Sequence, residues 1–130
     1  MRRHAHGFTL IELMIVMSVI AVLASLAYPS YGRYVRIAHR SQAKADLIEL
    51  AQLAERYYTV HSSYQGFDLP FAASPRDGVA RYTLTLDGQG ATTYTLKATP
   101  ISAQASDNCG TLTLNQAGIK TPAPRDVGCW

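Results

Sequence analysis

The chain has little of what catalysis and metal binding require. Its two cysteines, Cys109 and Cys129, are not in C-x-x-C spacing, which excludes a dithiol redox motif and a zinc ribbon. Of four histidines, His4 and His6 sit at the extreme N-terminus, and His39 and His61 lie too far apart for paired metal ligation. Gly88-Gln89-Gly90 is too short for a phosphate loop and precedes strand-like rather than helical sequence. No Ser/His/Asp or Cys/His grouping can be assembled. Asp68, Asp77, Asp87 and Asp107 stand among turn residues and read as turn chemistry, with calcium in that region left open. No enzyme, cofactor or metal site is therefore expected.

A strong charge of one sign is also missing. The formal net charge is +3, but Arg2 and Arg3 account for most of it: without them 12 basic residues become 10, against 9 acids. No base-reading motif accompanies the bases, so nucleic acid is not expected as a partner.

Charge is nearly absent from one stretch, Gly7 to Pro29. About 20 apolar or small residues run there with a single acid, Glu12, long enough to cross a bilayer as one helix. A carboxylate within a membrane span is costly and calls for a partner. Composition leaves two readings open. One is a secretory signal cut after the small-x-small site Ser25-Leu26-Ala27, although the run exceeds the usual length of about 7–15 residues. The other is a retained signal anchor. Arg2 and Arg3 favour a cytoplasmic N-terminus for it, an argument offset by Arg33, Arg36 and Arg40 beyond the run. An even cysteine pair in an exported chain reads as one disulfide in an oxidising compartment.

Pro29, followed by Gly32, marks a bend at the end of the apolar run. From Tyr31 to about Val60, Ala43, Leu47, Leu50, Ala54 and Tyr57 recur at helical spacing, predicting an apolar face; Asp46, Glu49, Glu55 and Arg56 fall elsewhere. Together the two segments predict a helix of about 50 residues, ~75–80 Å long. Arg33, Arg36, Arg40 and Lys44 form a line that reads as a solvated face or a lipid headgroup contact, with an inter-subunit patch or, more rarely, a DNA-contact strip as the functional alternative. Ser41 reads as a local cap or small packing residue. Ser62–Ala80 is loop-like. Beyond it Tyr82-Thr83-Leu84-Thr85-Leu86, Tyr94-Thr95-Leu96-Lys97-Ala98 and Thr111-Leu112-Thr113-Leu114 alternate with period two, separated by turns, with Ile119-Lys120-Thr121 as a short edge strand. This is an α+β chain: a long N-terminal helix, half membrane and half amphipathic, packed against an antiparallel sheet. Cys109 and Cys129 would clamp an irregular segment, Thr121 to Asp126, stabilising it by roughly 3 kcal/mol in the chain-entropy model.

Gly7-Phe8-Thr9-Leu10-Ile11-Glu12, followed by the apolar run, resembles the processing site of type IV prepilins. Tyr94–Pro100, Cys109-Gly110-Thr111-Leu112-Thr113-Leu114-Asn115 and the terminal Gly128-Cys129-Trp130 are most similar to PilE-type minor pilins of the type IVa system. The resemblance implies a pilin fold divided into a leader (1–7), a membrane and filament-core helix (8–28), an amphipathic helix (29–61) and a head ending in a disulfide-bounded loop (62–130). It implies cleavage after Gly7, N-methylation of Phe8, and contact between Glu12 of one subunit and the Phe8 amine of a neighbour. Alternatives for Glu12 are snorkelling to the headgroups or bonding its own Phe8 amine. The resemblance also implies helix loosening around Pro29 in the filament. The partners it implies are other pilin subunits, a prepilin peptidase/methyltransferase, inner-membrane assembly machinery and, before assembly, the membrane. The place implied is the bacterial inner membrane, N-terminus cytoplasmic and head periplasmic, then an extracellular pilus serving adhesion or twitching motility. A type II secretion pseudopilin shares the N-terminal signature, and a membrane-anchored periplasmic domain that never assembles is the remaining alternative. The cysteine pair and the Cys109–Asn115 pattern favour the pilus.

Overall fold

The computed structural model describes residues 7–123 and 128–130. The leader up to His6, and Pro124, Arg125, Asp126 and Val127 of the C-terminal loop, lie outside the described residues. The chain divides into two compact units, the first ending at Val35 and the second spanning Arg36–Trp130. One helix, α1 (Leu10–His61), runs through both and is 52 residues long.

In the first unit α1 is almost wholly apolar, and its large apolar side chains are exposed. An 18-residue window reaches a mean hydropathy of 2.5 with none of it buried. The helix satisfies its few polar side chains internally. Ser18 donates to the Met14 carbonyl at 2.8 Å and Ser25 to the Val22 carbonyl at 2.7 Å, as a helix in hydrocarbon must. Pro29 lies inside α1, and the helical assignment is unbroken there.

In the second unit the predicted stripe is the core face. Ala43, Leu47, Leu50 and Ala54 are fully buried, while Tyr57 is half-buried at its end. Ser41 is exposed in mid-helix and caps nothing. The helix stops where Ser62 turns to positive φ (54°) and Gly66 follows at 85°. A Cβ on Gly66 would meet the Tyr57 hydroxyl at 3.0 Å, so the turn fits a glycine in both backbone and space.

Five strands follow: β1 (Ala73–Ser74), β2 (Tyr82–Asp87), β3 (Thr95–Pro100), β4 (Leu112–Asn115) and β5 (Lys120–Thr121). They form one antiparallel sheet in the order β1-β2-β3-β4-β5. Register places Leu84 opposite Ala98, and Leu96 opposite Leu86 and Leu114. Period-two alternation therefore aims Tyr82, Leu84, Leu96, Ala98, Leu112 and Leu114 into one core with the α1 stripe. The β4–β5 turn is set by Asn115, whose side-chain oxygen accepts from the Ala117 and Ile119 N–H groups at 3.0 and 2.9 Å.

Two elements depart from the expected pattern. β1 lies within the stretch read as loop; at two residues it is too short to show an alternation. A 3-10 turn, Ser102–Ser106, follows β3 and buries Gln104.

Candidate assembly site and the polar pins of the head

Phe8 is 86 % exposed, and Thr9 is the cap of α1. The Thr9 N–H and hydroxyl both donate to Glu12 Oε2 at 2.8 Å, and the Glu12 N–H donates back to Thr9 Oγ1 at 3.3 Å. This is a capping box, Thr-x-x-Glu, which satisfies orphan N–H groups at the helix start while giving the carboxylate two donors. In this chain the Phe8 nitrogen is a peptide nitrogen, and the Glu12 partners are on Thr9. The signal for Thr9 was present in the sequence: the Thr-x-x-Glu spacing directly before an apolar run.

Beyond the box every large apolar side chain from Leu10 to Leu26 is 50–76 % exposed. A sleeve of that kind, bare on all sides, needs lipid or other helices around it. Gly7, Phe8 and Glu12 thus stand together at the entrance to the span, whereas Pro29 lies past its other end.

The second unit buries charges that the sequence pattern assigns to solvent. Arg40, read as part of a solvated line, is buried. Its guanidinium donates to Asp107 Oδ1 at 2.6 Å, with 10 % and 6 % of the two side chains exposed. Asp107 also accepts from the Tyr82 hydroxyl at 3.1 Å, so its role exceeds turn chemistry. Gln104 Nε2 donates to the Arg36 carbonyl at 3.0 Å and to the Tyr82 hydroxyl at 2.9 Å. The 3-10 turn is thereby pinned to α1 at two places. Burial and the Asp107 charge push the Tyr82 hydroxyl up to about 12. Buried ion pairs persist when their remaining hydrogen-bonding groups are satisfied, and here Tyr82 helps to do that.

Asp46, assigned by the helical pattern to the outer face, is 2 % exposed. Gln42 and Arg76 reach its Oδ1 at 3.2 and 3.3 Å, and Arg76 also pairs with Glu49. The Arg76 guanidinium lies 3.7 Å above the Phe71 ring. At the far end of α1 the Glu55 carboxylate accepts from the Tyr64 hydroxyl at 2.9 and 3.0 Å and from Tyr94 at 3.1 Å. Burial, then Glu55, raises both tyrosines, Tyr64 to about 12.

Cys109 and Cys129 are joined, bringing the C-terminus against β4 and β5. Trp130 Nε1 donates to the Thr121 carbonyl at 2.8 Å, and Lys120 Nζ sits 5.0 Å from the Trp130 ring centre. Among the described residues no group of three His, Cys, Asp or Glu is placed to hold a metal ion.

Two family models match. One, described as the type IV minor pilin ComP, DNA uptake sequence receptor, covers residues 29–113; the other, the prokaryotic N-terminal methylation motif, covers residues 2–28. A search of curated proteins finds no significant match. Among solved structures, a type IV pilin from Shewanella oneidensis aligns at a TM-score of 0.54 and 28% identity, over 73% of this chain and 97% of that one. The non-core minor pilin PilV of Neisseria meningitidis aligns at 0.53 and 23% identity, over 67% of this chain and 85% of that one, and bears on the fold alone. The ComP model spans the amphipathic half of α1 and most of the head, and the methylation motif spans the sleeve. The chain belongs to the ComP family of type IV minor pilins and is a minor pilin subunit of a type IV pilus.

Proposed function

We propose that the subunit matures by cleavage after Gly7 and N-methylation of Phe8, carried out by a prepilin peptidase/methyltransferase at the cytoplasmic face. It then resides in the inner membrane as a single-pass protein with its head in the periplasm. Inner-membrane assembly machinery draws it into an extracellular filament that serves adhesion and twitching motility, and it has no catalytic role. The observation that carries this reading is the bare apolar sleeve, Leu10 to Leu26, headed by one self-capped acid. Lipid suits that surface before assembly, and neighbouring helices suit it afterwards. In the filament, Glu12 meets the methylated Phe8 amine of a neighbour, sharing or giving up its Thr9 donors. Pro29, which has no N–H to give, is where α1 loosens. The test is the intact mass and N-terminal sequence of the protein from membranes. The expected result is loss of residues 1–7 and one added methyl on Phe8; an N-terminus at Tyr28 would refute the reading.

A second reading is favoured by the family model over residues 29–113, whose description is that of a DNA uptake sequence receptor. On that reading the head binds duplex DNA, against the expectation drawn from net charge and motif content. Selection from a random-sequence duplex pool on the full chain in detergent tests it. Enrichment of one sequence supports reception of DNA, and recovery of an unenriched pool retires it.

A further inference from the structure

The second unit holds an open cavity of about 380 Å³ between α1 and the segment that follows β1. Asp46 and Glu49 line it from α1, at a spacing that puts both on one helix face. Arg76 and Asp77 line it from the segment after β1. Three carboxylates therefore share one guanidinium, which leaves two negative charges uncompensated among the lining side chains. Arg76 is divided between Asp46 and Glu49 and held above the Phe71 ring. Asp77 is in no ion pair among the described residues.

An unmet hydrogen bond accompanies the excess charge. The Asp46 side chain is 2 % exposed. Its Oδ1 accepts from Gln42 and Arg76 at 3.2 and 3.3 Å, whereas Oδ2 is buried without a partner. A carboxylate oxygen in that condition costs stability until a donor reaches it, and a charged donor relieves it most. The wall is not wholly polar: Ala45 and Pro75 add apolar surface.

These properties select among cations. A metal ion needs several oxygen ligands converging on one point, and among the described residues no three His, Cys, Asp or Glu side chains are so placed. A single ammonium matches only one of the two charges. An alkyl diamine brings two ammonium groups, N–H donors for Oδ2, and a methylene chain that covers Ala45 and Pro75. We propose that the cavity binds a short alkyl diamine, one ammonium donating to Asp46 Oδ2 and the other facing Asp77. No residue of the sleeve takes part, so binding does not depend on entry into a filament.

The full chain in nonionic detergent is titrated calorimetrically with butane-1,4-diamine, with micelles alone as the blank. One diamine per chain is expected, bound less tightly as salt rises. Butylamine, with one ammonium, should bind about tenfold more weakly, and butane-1,4-diol should not bind. Asp46→Asn should abolish binding of the diamine. Two variants at exposed positions keep the test readable if that one fails to fold. Asp77→Asn should weaken the diamine about tenfold. Ala45→Phe, which adds bulk to the cavity and changes no charge, should abolish binding. Absence of diamine binding to the parent chain would overturn the site. So would parent-like affinity in Asp77→Asn or Ala45→Phe with a protease-resistant head. Butylamine binding as tightly as the diamine, or calcium chloride displacing the diamine at equal concentration, would overturn the assignment to a diamine.

Discussion

The two units treat charge in opposite ways. In the first, one acid sits in an apolar helix and is satisfied from three residues away, by Thr9. In the second, Arg40 finds Asp107 across 67 positions of chain and Asp46 finds Arg76 across 30. The first unit exposes its apolar surface, and the second buries its own. The head therefore holds its own core, while the sleeve is stable only in company. A membrane-anchored filament subunit needs that division, because the head must survive transfer from membrane to filament and the sleeve must exchange one apolar environment for another.

The largest expected effect falls on the sleeve. Glu12→Leu should insert normally and leave the head intact by protease resistance, yet be lost from sheared filaments. Normal incorporation of that variant would break the contrast drawn here. In the head, Arg40→Met leaves Asp107 as a buried charge without its cation. It should lower stability by about 3–5 kcal/mol in denaturant unfolding, while Asp107→Asn, which keeps polar contacts to Tyr82 possible, should cost less. A loss under ~1 kcal/mol for Arg40→Met would mean that this pin carries no weight.

Removing the disulfide with Cys109→Ser and Cys129→Ser together should cost about 3 kcal/mol by the loop-closure argument, with the sleeve unaffected. Unfolding midpoints with and without reductant on the parent chain should differ likewise. A smaller effect follows from the tyrosines. Tyr64 and Tyr82 are raised to about 12 when folded, from about 10 when unfolded. Their contribution is fully present below pH ~10 and is lost as pH rises through about 12. Head stability should therefore fall between those limits, and Glu55→Gln should weaken that fall at Tyr64 and Tyr94. Stability that stays flat across the window would contradict these assignments.

Much of this was legible in the sequence because it is local. The 4-3-4 spacing of Ala43, Leu47, Leu50 and Ala54 states which helix face is buried, and the alternation around Leu84, Leu96 and Leu112 does the same for the sheet. Gly7, Phe8 and Glu12 stand out only through their resemblance to the type IV prepilin processing site, and the ComP and methylation-motif matches agree with the family that this resemblance suggested. What escaped is long-range. Periodicity assigns Arg40 and Asp46 to solvent because the charges that bury them lie on the β3–β4 and β1–β2 connections. β1 escaped because two residues carry no pattern, and the 3-10 turn because Gln104 looks like any loop polar residue until it reaches Arg36. Thr9 was readable and is the exception, since a capping box is local.

The pins have a consequence for load. Gln104 and Asp107 grip α1 at Arg36 and Arg40, and Cys109 follows Asp107 by two residues. Tension entering the head along α1 would pass through those side chains into the chain just ahead of the disulfide. From there it would spread through a covalent link to Cys129, at the other border of the sheet's last two strands. The bond that closes the C-terminal loop would then act as a strain relief, dividing a pull on one helix between two points of a sheet.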